Sequence, residues 1–237
     1  MTNGGPMKIA VVAPSNTLRR EAAEQVQAIA DRRGDCELAI HPQCFLSDGH
    51  FAGADGERLA ALREVMADPS VDAVWFARGG YGSNRIAEAA MTDLPQAARI
   101  KTYLGYSDSG FLLAGFYRAG LKVAHGPMPQ DVLRDGGEAA VTRALDWLVR
   151  RDPSALEPAV QAPAFAFNLT VLSCLLGTPL EPDLAGAELL LEEVSEHHYR
   201  IDRAMFHVTA SANVRSVSRI RLGRVGDFPC RRGIHHG

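Results

Sequence analysis

The chain has 237 residues, 46% of them hydrophobic and 22% charged, with a formal net charge of −3. That length buries a sizeable core in one large domain or two small ones, and the balance is that of a soluble globular protein. No basic block points to nucleic acid or an anionic membrane as partner, and no apolar run approaches the ~20 residues of a membrane span. The opening "MTNGGPMKIAVVAPS" lacks the charged and apolar regions of a signal peptide, so none is expected. Cys36, Cys44, Cys174 and Cys230 show no C-x-x-C spacing. Reduced thiols and a cytoplasmic location are therefore expected.

Taken in chain order, "KIAVVA" (8–13) is an apolar run closed by Pro14-Ser15 and predicts a buried strand. A helix follows over 17–33, ending near Gly34, then a strand in "CELAIH". "GERLAALREVMAD" has helical spacing and stops at Pro69. "VDAVWFA" is a third strand, followed by the glycine loop and helix of "RGGYGSNRIAEAAM". "IKTYLGY" and "LKVAHGP" are the fourth and fifth strands, with the helix "SGFLLAGFYRAG" between them. "EAAVTRALDWLVRR" is a helix ending before Pro153. Strands alternating with helices predict a Rossmann-like α/β domain with a parallel sheet over residues 1–152. The loops after its strands, with the 78–82 loop and Ser107 among them, should gather at one edge.

Pro153, Pro158 and Pro163 interrupt the next stretch, which reads as a linker over 153–163. A smaller α+β domain follows over 164–237. Its expected elements are a helix in "NLTVLSCLLGTP", a strand in "AELLLEEV", a helix in "YRIDRAMFHVTAS" and a strand in "VSRIRLGRV".

Three stretches carry chemistry. In "YLGYSDSG", Ser107 lies where a strand turns into a helix. There it can project its hydroxyl as a nucleophile, although Gly110 comes one residue late for G-x-S-x-G. Equally, Ser107 or Asp108 can cap the helix that follows. In "ARGGYGSNR", Gly79, Gly80 and Gly82 allow close backbone approach ahead of a helix N-terminus. That suits an oxyanion hole, a carboxylate clamp or a plain tight turn. In "LLLEEVSEHHYRIDR", alternation along a strand turns one of Glu192 and Glu193 inward, where it can orient a histidine, unless the pair is simply a solvated acidic strand end. His197 and His198, read as strand neighbours, point apart, and no spacing completes a metal site. The terminal "IHHG" offers His235 or His236 as a base, or reads as a frayed tail.

These stretches, with "VVAPS" and "HGPM", resemble the LD-carboxypeptidases in order and over most of residues 8–208. That serine peptidase family includes the murein tetrapeptide carboxypeptidases and the microcin-immunity hydrolases. The resemblance implies a Ser-His-Glu triad of Ser107, Glu192 and His235, with His236 adjacent to the best match. It further implies an oxyanion hole from the amides of Gly80 and Asp108, and substrate contacts from Arg78, Gly79 and Tyr81. The segment between "GDFP" and the histidine is shorter than the family pattern. The site would lie between the two domains. A small peptide substrate, a homodimer and no metal or organic cofactor are expected. The reaction implied is release of a C-terminal D-amino acid from an L,D-linked peptide, namely D-alanine from cytoplasmic murein tetrapeptide during peptidoglycan recycling. The alternatives are hydrolysis of a peptidyl-nucleotide or acyl-amide, and a non-catalytic α/β protein that binds a carboxylate.

Overall fold

The computed structural model describes residues 5–160 and 163–226. His235, His236 and Cys230 lie outside them. The apolar runs of the first part become five strands: β1 (Met7–Val12), β2 (Cys36–Ile40), β3 (Ala73–Phe76), β4 (Thr102–Gly105) and β5 (Lys122–His125). Four helices connect them, α1 (Arg20–Arg33), α2 (Asp55–Ala67), α3 (Ser83–Ala90) and α4 (Gly110–Arg118), and α5 (Gly137–Arg150) follows β5. The strands pair in parallel in the order β2-β1-β3-β4-β5.

Alternation along the strands sorts side chains between two faces. Ile9, Val11 and Trp75 are buried with Val26 and Ile29 of α1 and with Val141 and Leu145 of α5. Phe76 and Tyr103 turn the other way and gather around Phe116 of α4. Strand order reverses at β1, so the loops leaving β1 and β3 diverge. In open α/β sheets a ligand crevice forms at that point, outside the carboxyl ends of the strands.

The chain separates into two units. The first runs to Ala159 and takes back Thr178–Pro182; the second holds Val160–Gly177 and the chain from Asp183. The second unit has a parallel sheet of β6 (Ala164–Asn168), β7 (Glu188–Val194) and β8 (Arg219–Gly226). Its helices are α6 (Leu169–Leu175), α7 (His198–Ala210) and the short α8 (Ala212–Arg215). Strand β6 was not expected. Five residues directly after Pro163 carry little local signal, and pairing with the leucines of β7 makes the strand. The strand reading of His197-His198 is corrected: β7 ends at Val194, His197 directly precedes α7 and His198 is its first residue. Among the described residues, no three His, Cys, Asp or Glu side chains converge as metal ligands.

At the far edge of the first sheet, Asp35 joins two helix ends. It accepts from Arg33 at 3.0 Å and from Arg150 at 2.6 Å, while Arg33 also reaches Asp146 at 2.7 Å. Partial burial works to raise the Asp35 carboxyl, but the hydrogen bonds from Arg33 and Arg150 prevail and hold it below its ordinary range. A depressed carboxylate adds stability above the unfolded-state pKa of about 4 and loses it as pH falls through the folded value. Asp35→Asn should lower Tm by about 2–4 °C at pH 7. It should also flatten the loss of stability below about pH 4. Thermal melts of both proteins from pH 7 to pH 3 check this, and an unchanged pH slope would contradict it.

Candidate active site

Strand β4 ends at Gly105, residues 107–109 form a 3-10 turn, and α4 starts at Gly110. Ser107 sits in that turn, half-buried, with φ of 59°. Left-handed backbone is uncommon for a non-glycine residue, costs about 1–3 kcal/mol and clusters at functional sites. The same sharp strand-to-helix turn presents the nucleophile of α/β hydrolases. The capping alternative fares differently. The cap position of α4 falls on Ser109, neither Ser107 nor Asp108, and the Ser109 hydroxyl donates back to the Tyr106 carbonyl at 2.7 Å, making no bond to the helix amides.

The glycine loop leaves β3 directly beside this turn. A Cβ built on Gly79 would lie 2.9 Å from both Cβ and Oγ of Ser107. Any side chain at 79 would therefore push on the serine. Asn16, in the loop after β1, holds the glycine loop. Its amide donates to the Gly79 carbonyl at 3.4 Å, its Oδ1 accepts from the Tyr81 amide at 3.3 Å, and its side chain lies against Gly80. Arg78 is half-buried and donates from Nη1 to the Thr17 carbonyl at 3.0 Å. Tyr81 is exposed, with its ring 5.8 Å from those of His50 and Phe51.

Asp108 is buried, and its side chain works away from α4. Its Oδ2 accepts from Ser15 Oγ at 2.5 Å and from the Ser83 amide at 2.8 Å, while its carbonyl accepts from Ser83 Oγ at 2.5 Å. Ser83 is the first residue of α3, so this carboxylate satisfies a helix-end donor across the elbow. The residue after Ser107 thereby ties the β1 loop, α3 and the turn together. On the other side, Tyr106 donates its hydroxyl to Asp131 at 2.8 Å and accepts from Arg134 at 2.7 Å. Burial first, and then Asp131, push the Tyr106 hydroxyl above its ordinary pKa, so it stays a neutral donor.

In the second unit the two glutamates divide as alternation requires. Glu193 is buried and accepts from Asn168 Nδ2 at 2.8 Å, from the Thr170 amide and hydroxyl at 3.0 and 2.7 Å, and from the Val194 amide at 2.9 Å. It closes the N-terminus of α6. Glu192 lies on the opposite face of β7, half-buried, with Oε1 screened from solvent.

Thus the first unit brings Ser107, Gly79, Gly80 and Asp108 together, with Arg78 and Tyr81 on the same loop. Glu192 stands on the second unit's sheet, and His235 lies outside the described residues. Sequence reasoning missed Ser15 and Asn16, and it gave the Asp108 side chain to the helix that follows where the structure gives it to α3. The signal for the first two was available: small polar residues directly after a buried strand, on the edge where chemistry collects.

Two family models match the chain: the LD-carboxypeptidase N-terminal domain over residues 9–126, and the LD-carboxypeptidase C-terminal domain over residues 161–233. The murein tetrapeptide carboxypeptidase of Pseudomonas aeruginosa is 29% identical, over 96% of this chain and 80% of that one. A Streptomyces coelicolor relative whose name places it among the carboxypeptidases is 35% identical, over 91% of this chain and 74% of its own. Among solved structures, a muramoyltetrapeptide carboxypeptidase from Oxalobacter formigenes superposes with a TM-score of 0.76 at 24% identity, covering 94% of this chain and 78% of that chain. The microcin C7 self-immunity protein MccF reaches 0.77 at 18% identity, covering 98% and 82%. These last two likenesses concern the fold, which they share. Matches to both family domains, in order and over most of the sequence, make this chain a member of the LD-carboxypeptidase family.

Proposed function

We propose that the chain is a serine carboxypeptidase that cleaves an L,D-peptide bond and releases a C-terminal D-amino acid. The observation that carries this reading is Ser107, held in a left-handed turn with Gly79 pressed against its hydroxyl. Ser107 Oγ attacks the scissile carbonyl and passes its proton to the histidine, assigned to His235. The amides of Gly80 and Asp108 hold the oxyanion. Collapse expels the D-amino acid, whose amine takes the proton from the histidine. Water then hydrolyses the acyl-enzyme, and Glu192 orients the imidazole and stabilises its charged form. The names of the relatives favour D-alanine on a murein tetrapeptide as substrate. The wider setting in this reading is a cytoplasmic homodimer in peptidoglycan recycling.

A second reading, hydrolysis of a peptidyl-nucleotide or related acyl-amide, draws support from the likeness to MccF, one structure of which holds glutamyl sulfamoyl guanosine. The two readings part on the substrate's free carboxylate. Arg78 stands on the glycine loop, and its bond to Thr17 uses one of a guanidinium's five donors. Arginine grips a carboxylate through two parallel bonds. Amidating the substrate's C-terminus should lower kcat/KM on the order of 10²-fold, from loss of a charge-assisted bond worth about 1.5–3 kcal/mol. Arg78→Met should narrow the gap between free acid and amide. The assay is a panel of L,D- and D,D-linked peptides, free and amidated, with mass-spectrometric detection of the released amino acid. Equal wild-type rates on free acid and amide would favour the second reading.

Ser107→Ala should fold normally and lose turnover by about 10⁴–10⁶-fold. Steady-state rates with a melting curve check both halves, and retention of a tenth of wild-type activity would refute the assignment.

The glutamate pair should split by type of loss. Glu192→Gln should lower kcat with little change in Tm. Glu193→Gln should keep most of its kcat but destabilise the second unit by about 1–3 kcal/mol, because a buried acceptor of four donors is altered. Urea melts beside rate measurements separate the two; the reverse pattern would exchange their roles.

A further inference from the structure

Arg58 belongs to α2, yet it is only 1% exposed. A buried guanidinium is costly unless its donors are engaged. Here Nη1 donates to two carbonyls from different loops, those of Pro14 and of Gly82, the latter at 2.8 Å. Nε donates to the Gly53 carbonyl at 3.3 Å, and Nη2 pairs with the Asp55 carboxylate, which also receives Arg85. The ring of Phe51 covers the cation at 4.8 Å. The packing leaves no slack: a Cβ on Gly82, at φ of 129°, would lie 2.7 Å from Phe51 and 3.0 Å from Arg58 Nη1.

The two carbonyls flank the candidate site. Gly82 ends the loop whose other end, Gly79, lies against Ser107. Pro14 precedes Ser15, which donates to Asp108, and Asn16, which lies against Gly80. We propose that Arg58 is the positioning residue of this site: by binding both carbonyls it fixes the glycine loop and the β1 loop in the one spacing that leaves the Gly80 and Asp108 amides beside Ser107. Its fork of donors matters as much as its charge, since a lysine offers a single point charge and cannot reproduce the fixed geometry. This rests on the reading of Ser107 as nucleophile. Arg58 is buried with its donors engaged and offers a substrate no surface, so its effect should fall on the transition state and spare ground-state binding.

The test compares wild type, Arg58→Lys and Arg58→Met by three measurements. These are kcat and KM on an L,D-tetrapeptide, the rate at which a fluorophosphonate labels Ser107, and deuterium exchange over residues 14–17 and 78–85. Arg58→Lys should fold, hold KM within about 2-fold and lose kcat by about 10–100-fold, with labelling slowed in step. Exchange should rise in the two loops and stay unchanged in α5. Arg58→Met should lose more. If it fails to fold, the charge-preserving lysine variant decides alone. A lysine variant with wild-type kcat and labelling rate would overturn the proposal, as would a rise in KM with kcat intact. Wild-type protein that neither turns over the peptide nor labels at Ser107 would instead overturn the nucleophile reading itself, and this inference with it.

Discussion

Everything proposed for this chain depends on one close approach, the bare Cα of Gly79 against the Cβ and Oγ of Ser107. It sets two backbones, from the ends of adjacent strands β3 and β4, nearer than any side chain at 79 would permit. Beside it, Ser107 holds a left-handed conformation that costs about 1–3 kcal/mol. One fully buried side chain such as Phe76 supplies about as much stabilisation, so a core of this size sustains the turn. Strain alone would relax, however, unless neighbouring contacts blocked each route of escape.

Those contacts are polar and mutually linked. Asp108 binds Ser15 and Ser83, Asn16 holds the glycine loop, and Arg58 spans the carbonyls of Pro14 and Gly82. An anion and a cation, both buried, thus bind groups in the β1 loop and at the junction of the glycine loop with α3. Each would be expensive to leave unpaired, which makes the arrangement hard to loosen stepwise. The sheet's reversal of order at β1 is what opens room for these loops. Topology, strain and buried charge therefore act at one place on the first unit.

Much of this could be read in the sequence, and the residues show why. "KIAVVA", "VDAVWFA" and "IKTYLGY" are apolar runs bounded by turn residues, and buried parallel strands have that signature. The serine between "YLGY" and "DSG" marks a turn because its neighbours switch period there. Strand β6 escaped notice because "AFAFN" is short and follows a proline, so its pairing with β7 carries the information. The alternation of Glu192 and Glu193 was legible, but the role of Glu193 at α6 was not, since Thr170 and Asn168 are distant partners. Arg58 left a trace that went unread: it falls on the same helical stripe as Ala61, Leu62 and Val65, where a charged residue has no solvent to face.

The central claim is that Ser107 forms a covalent acyl-enzyme. Acid quenching of a turnover mixture with L,D-tetrapeptide, followed by proteolysis and mass spectrometry, tests it most directly. The account predicts a tripeptidyl adduct, the tripeptide less one water, on the fragment carrying Ser107. An adduct mapped to another residue, or turnover with no adduct under conditions that slow deacylation, would contradict it.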